Sequence, residues 1–223
     1  MTPPTTWVRL HNTCRLVPSL YPSAGVLDRV AAAADLPDIF ELESWTNDRI
    51  STELGLLHRI PTEEWVVGRP MASVVMAAFC HPRAGGGRFN SPDRGAWYAS
   101  TALETAHAEV VYHRTRELAE IGVFETRLQM RLYLADFHCE FHDVRRQIAR
   151  HALLHDPESY AASQVFARQL LDEGSNGVIY RSVRGAGGEC LACFRPKLVL
   201  NVQPGAHFEY RWSGGRTPAI RKP

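Results

Sequence analysis

The chain has 223 residues, 45% of them hydrophobic and 22% charged, with a formal net charge of +1. That length suits one domain with a packed core, and the near-neutral balance gives no basic field for direct nucleic-acid binding. No apolar run reaches the roughly 18 residues that a membrane-spanning helix needs.

Residues 1–9 lack a basic head followed by an apolar stretch, which argues against a secretory signal. The cysteines, Cys14, Cys80, Cys139, Cys190 and Cys193, are odd in number. Together these features predict reduced thiols and a cytoplasmic protein. There is no internal repeat, no low-complexity tract and no marked domain boundary.

In chain order, Arg15-Leu-Val-Pro begins an element after a short lead. Gly25–Ala34 and Asp48–His58 read as short helices bounded by Pro37 and Pro61. Val74–Cys80 is an apolar run compatible with a buried strand or a helical turn. A loop carrying Gly85-Gly-Gly-Arg88-Phe-Asn follows, where three glycines permit positive φ and close approach of other groups. Ala96–Ala99 reads as a short strand.

Thr101-Ala-Leu-Glu104 has the spacing of a capping box, opening a helix that Gly122 ends. Ala102, Ala106, Glu109 and His113 share one stripe of that helix. A carboxylate among small residues suggests a pocket wall; the plainer reading is a surface glutamate paired with Arg116 or His113.

Leu128, Met130, Leu132 and Leu134 alternate as in a half-buried strand. Asp156-Pro157 reads as an N-cap and first helical position, with Ala161, Val165, Phe166 and Leu170 facing inward and an end near Gly174. Gly177–Val183, Leu191–Phe194 and Leu198–Val202 read as strands. Ser182 enters a second glycine-rich turn, where its hydroxyl either meets a ligand or satisfies its own backbone. Phe208–Trp212 reads as an interface edge strand or, more plainly, as core. The pattern is α+β.

Gly-Gly-Arg88-Phe-Asn, Trp-Tyr98-Ala-Ser and Thr-Ala-Leu-Glu-Thr-Ala-His-Ala-Glu109, followed by Gly-Val-Ile-Tyr-Arg-Ser182-Val-Arg, Gly-Gly-Glu-Cys and Ala-Cys-Phe-Arg-Pro, resemble the signatures of the RES-domain family. The family's arginine, glutamate and serine look like Arg15 or Arg88, Glu109 and Ser182. The resemblance runs from about residue 13 to 212. It implies one RES domain over 1–223, with a helical extension inserted before about residue 80. It also implies an ADP-ribosyltransferase-like split, bent β core with surrounding helices. One departure is Leu16, where family members often carry an aromatic. Tyr98, Phe89 and Tyr21 are the rings that would replace it.

The implied activity is that of the toxin of a type II toxin–antitoxin pair. It cleaves the nicotinamide–ribose bond of NAD⁺, by hydrolysis or phosphorolysis, and depletes the cell of NAD⁺. The alternative is a mono-ADP-ribosyltransferase modifying a host protein. NAD⁺ is then the substrate, no metal is needed, and the partner is an antitoxin with an Xre-type helix-turn-helix domain. Either a homodimer or a toxin–antitoxin hetero-oligomer accords with the resemblance. Glu109 would stabilise the developing ribosyl cation, Arg15 and Arg88 would grip the diphosphate, Tyr98 would stack on nicotinamide or ribose, and Ser182 would hold a carboxamide or ribose hydroxyl.

A zinc deaminase is the main rival by motif, from His107-x-Glu109 and Cys190-x-x-Cys193. Against it, Glu189 replaces the proline expected before the first cysteine, and about 80 residues separate the two halves. A non-enzymatic DNA-binding module lacks a basic stripe. The ten histidines are scattered, although His138 and His142 would share a face if that stretch were helical.

Overall fold

The structure, a computed structural model, describes residues 2–20, 26–28, 56–146 and 150–223. Apart from their ends at Val26–Asp28 and Leu56–His58, the two early helices lie outside the described residues, as does Tyr21.

The described elements are β1 (Thr5–Pro18), α1 (Ala72–Cys80), β2 (Trp97–Ser100), α2 (Leu103–Ile121), β3 (Glu125–Asp143), α3 (Ala161–Asp172), β4 (Gly177–Arg181), β5 (Glu189–Cys193), β6 (Leu200–Ser213) and β7 (Ala219–Arg221). The fold is α+β. One seven-stranded sheet runs in the order β1-β2-β5-β4-β3-β6-β7, and β1 also pairs with β3. The strands therefore curl into a ring, β1-β2-β5-β4-β3, that closes on itself.

The closure has two narrow joints. β1 meets β2 at Cys14 opposite Ser100, and β3 meets β4 in parallel at His142–Asp143. Between them, the antiparallel β1–β3–β6 layer faces the short β2-β5-β4 layer as two bent halves. β1 bends where its register on β3 shifts between Leu10 and Thr13. Asn12 takes a positive φ of 53° there, and its N–H donates to Asp136 Oδ1 at 2.9 Å. Asparagine tolerates this conformation, and such a bulge re-aims the residues after it, Arg15 among them.

β3 explains why only part of its length reads as a strand in the sequence. Its even positions, Leu128 to Leu134, pack under α2 with Phe208, Tyr210 and Trp212 of β6. From Tyr133 onward its odd positions, Ala135, Phe137, Cys139 and Phe141, pack under α1. Near residues 132–135 both faces are covered, and the alternation blurs. β4 and β5 are covered throughout: Ile179, Leu191 and Cys193 face α1, while Val178, Tyr180, Cys190 and Ala192 face α3. A strand buried on both faces reads as a continuous apolar run.

Several expectations change in detail. Val74–Cys80 is helical. β1 begins at Thr5, ahead of Arg15, and β6 continues past Val202 to Ser213. Val165 points outward, 72% exposed, and α3 buries Ser163, Ala167 and Leu170 instead. Asp156 Oδ1 accepts the N–H groups of Glu158 and Ser159, forming a turn ahead of α3 rather than its cap. His138 and His142 lie on β3, not on a helix. Phe208–Trp212 lies between β3 and β7 with its aromatics buried, so it is core.

Gly177 sits where β4 begins, at φ 140°, and a Cβ there would lie 2.1 Å from the Ala192 carbonyl oxygen on β5. Gly177→Ala should therefore cost about 3 kcal/mol, from strained backbone and a forced strand separation. Urea denaturation measures this; a loss under about 0.5 kcal/mol, the size of an ordinary surface substitution, would contradict the close packing.

Candidate active site

α2 starts at Leu103 without a side-chain cap. The expected capping box does not form. Thr101 turns instead to β5, its N–H and hydroxyl both donating to the Glu189 carbonyl at 3.0 and 3.3 Å. The helix is thus tethered to the sheet at its first turn, and Gly122 closes it at φ 69°.

Two residues into the helix, Thr105 is buried against the turn that joins β4 to β5. A Cβ on Gly188 would come within 2.3 Å of Thr105 Oγ1. Because Gly188 has none, the turn lies flat on α2 and carries Ser182 to Glu109. The Ser182 hydroxyl donates to Glu109 Oε1 at 2.6 Å and accepts the N–H groups of Gly185 and Arg184 at 2.8 and 3.1 Å. Ser182 satisfies its own turn, as one of the two expectations had it, and its single proton goes to the carboxylate. The floor beneath the pair is Tyr180 and Cys190, whose sulfur lies 3.3 Å from Ser100 Oγ.

Glu109 does not pair with Arg116, which reaches Glu120. The other Glu109 oxygen, Oε2, lies 4.0 Å from His113 Nε2, one turn on; both side chains are 26% exposed. Burial first, then the positive charges of Arg83, Arg184, Arg114 and Arg88, push the His113 pKa down to about 3. The imidazole is neutral, and its surroundings are cationic.

Arg88 is buried, with Nη1 donating to the carbonyls of Leu154 and Asp156 at 3.0 and 2.7 Å and its guanidinium over the Tyr160 ring. Its remaining N–H groups make no hydrogen bond among the described residues. Tyr98 accepts the Phe89 N–H at 2.8 Å and donates to Asn90 Oδ1 at 2.9 Å. A Cβ on Gly87 would meet that hydroxyl at 2.7 Å, and Gln164 of α3 donates to the carbonyls of Gly85 and Gly87. Gly86 and Gly87 thus pack the loop onto β2 and α3, the close approach expected of them.

Arg15 donates to the Tyr98 carbonyl at 3.1 Å and stacks on Trp97. Burial lowers its pKa to about 10, leaving it charged at neutral pH. Leu16 packs beside α2, and Phe89 is buried edge-on against Tyr180.

Ser182 meets Glu109 directly and Arg15 meets the Tyr98 carbonyl, while Glu109, Tyr98 and Arg88 all bear electrostatically on Tyr180. Three arginines around His113 were not singled out from sequence. Arg83 and Arg114 converge on Glu117, at 3.6 and 2.6 Å. Arg184 lies over the Tyr112 ring and donates to the Pro157 carbonyl. Arg184 stood within the quoted Ser182-Val-Arg segment; the other two carried no motif.

The deaminase constellation does not converge. His107 Nδ1 meets Tyr210 OH at 2.5 Å on another face of α2, and Cys190 and Cys193 point into different cores. All five thiols are buried and free, as expected of packing cysteines.

Residues 56–213 match the RES domain family, well over half of the chain, and the chain belongs to that family. The uncharacterized protein y4oC of Sinorhizobium fredii (strain NBRC 101917 / NGR234) is 25% identical over 205 residues, covering 91% of this chain and 83% of that one. Among solved structures, one described as the M. tuberculosis MbcT–MbcA toxin–antitoxin complex aligns with TM-score 0.49 and 13% identity, over 91% of this chain and 86% of that one. Among the described residues, no helix is long and apolar enough to cross a membrane.

Two outcomes test this geometry. Gly188→Ala should destabilise by about 1–3 kcal/mol, and adding Thr105→Ala should cost less than it does in the parent, because it removes the colliding atoms; a double-mutant cycle by urea denaturation measures that coupling, and strict additivity would contradict it. The depressed His113 pKa predicts acid sensitivity. The unfolded chain takes up that proton near pH 6.5, the folded one only near 3. The resulting stability is full above about pH 6.5 and is lost as pH falls toward 3. His113→Gln should flatten that decline in denaturation curves taken between pH 7 and 4; parallel curves would show that His113 titrates normally.

Proposed function

We propose that the protein is an NAD⁺-consuming enzyme that breaks the nicotinamide–ribose bond. We further propose that it acts as the toxin of a two-gene pair, held in check by an antitoxin with an Xre-type helix-turn-helix domain. Family membership supports both parts. The observation that carries the chemistry is the Glu109 carboxylate, fixed by Ser182 at 2.6 Å, beside a neutral histidine on which four arginines bear.

Bond cleavage leaves positive charge on the ribose, as in glycoside hydrolysis. Nicotinamide departs neutral from a cationic ring, so no acid has to protonate it and one carboxylate suffices. Glu109 supplies that charge. Held by Ser182, it needs little reorganisation as the cation develops. The arginines oppose the diphosphate, and Arg15 and Arg88 are the proposed grips. Arg88 is fixed by the carbonyls of Leu154 and Asp156 along one side, which aims the rest of the guanidinium. Tyr98 holds the loop that carries Arg88, so its contribution is to place that arginine as well as to wall the site.

The acceptor of the ADP-ribosyl group is water, phosphate or a protein side chain. Incubation with labelled NAD⁺, with and without phosphate and a cell lysate, separates the three by the fate of ADP-ribose. Glu109→Gln, which keeps shape and removes charge, should fold normally and release nicotinamide at least about a hundredfold more slowly. Release at the parental rate would overturn the assignment of Glu109.

A further inference from the structure

Glu109 presents two oxygens with different surroundings. Oε1 is taken by the Ser182 proton. Oε2 looks across 4.0 Å to His113 Nε2, too far for a direct hydrogen bond. An oxygen placed about 2.8 Å from each would subtend an angle of roughly 90° there, within about 20° of the angle a hydroxyl offers between its proton and a lone pair. The pair lies on one face of α2, one turn apart, half-buried and rigidly carried.

We propose that His113 and Glu109 form a two-point holder for one hydroxyl of the nicotinamide-side ribose, with His113 as a positioning residue that orients this hydroxyl against the carboxylate. This rests on the NAD⁺-cleaving reading above and extends it to a residue outside the arginine, glutamate and serine for which the family is named.

The charges around His113 suit that task. Glu109, Tyr112 and Arg114 face it from α2, Arg83 and Arg88 from the glycine loop, and Arg184 from the β4–β5 turn. The partial burial and the arginines keep the ring neutral; with its proton on Nε2 the ring donates to the hydroxyl oxygen, whose own proton goes to Glu109. A protonated ring at that place would pair directly with Glu109 and close the gap. A neutral ring leaves the carboxylate its full charge, and a bridging hydroxyl binds both without neutralising either.

The test compares the parent with His113→Phe, which keeps ring volume and loses both nitrogens, and with His113→Gln, which keeps a donor and an acceptor. Each is assayed for nicotinamide release from NAD⁺ and from its 2′-deoxy and 3′-deoxy analogues on the nicotinamide-side ribose. Thermal unfolding checks each variant, and His113→Ala replaces the Phe variant if that one does not fold.

With NAD⁺, the Phe variant should lose about tenfold in kcat/KM, and the Gln variant should retain most of the parental value. The ratio of NAD⁺ to one deoxy analogue should be about tenfold smaller in the Phe variant than in the parent, since the holder no longer distinguishes them. A Phe variant as active as the parent, or ratios unchanged for both analogues, overturns the holder alone. A parent that releases no nicotinamide overturns the NAD⁺ reading and this inference together.

Discussion

The hydrogen bond from Ser182 to Glu109 joins the two parts of the fold that hold the site. Glu109 rides on α2, packed on β3 and β6. Ser182 stands at the end of β4, packed between α1 and α3. The distance between them, 2.6 Å, depends on how closely the β4–β5 turn lies on the helix. That approach depends in turn on an absent side chain at Gly188. A carboxylate on a helix surface would ordinarily sample several rotamers in water. Here one oxygen is fixed by a hydroxyl that is itself fixed by two backbone N–H groups, so ordering Glu109 costs little additional freedom when a ligand arrives.

The electrostatics follow from the same closure. Arg83 and Arg88 come from the glycine loop and Arg184 from the distant β4–β5 turn, and each has a partner of its own: Glu117 for Arg83, the carbonyls of Leu154 and Asp156 for Arg88, the Tyr112 ring and the Pro157 carbonyl for Arg184. Such ties hold the cationic groups near one another. Burial first, and then these charges, hold the His113 pKa down near 3. A diphosphate would meet donors already in place, and arginine's planar fork loses less freedom per contact than lysine would.

Much of this was legible in sequence because it was written locally. Gly122 marks the end of α2, the glycines on both sides of the motifs mark turns, and Glu109 stands on a small-residue stripe. What was hidden depended on tertiary contact. Thr101 looked like the start of a capping box, but the nearby Glu189 carbonyl claims it. Val165 has the spacing of a core residue, yet α3 packs through Ala167 and Leu170 and leaves it exposed. The later half of β3 changes the face it buries when it passes from under α2 to under α1, so no single alternation describes it. Arg83 and Arg114 became visible only through the fold, since nothing in their neighbours distinguishes them from surface arginines.

The glycine loop shows how a motif's position and its physical role can separate. Three consecutive glycines beside an arginine suggest backbone approaching a phosphate. In the structure, Gly86 and Gly87 are pressed by Asn90, Tyr98 and Gln164, and the freedom they provide is used to seat Arg88. The arginine side chain then runs beneath the loop to the 154–156 segment and the Tyr160 ring. Loss of Tyr98 would therefore act on the cleft from a distance, by freeing the loop and with it the guanidinium. Ser182 acts on Glu109 directly: its hydroxyl, satisfied on the far side by two backbone N–H groups, bonds the charged group itself. A charge so held needs no rearrangement of its surroundings as the reaction proceeds, which is the condition under which fixed groups stabilise a transition state better than water does.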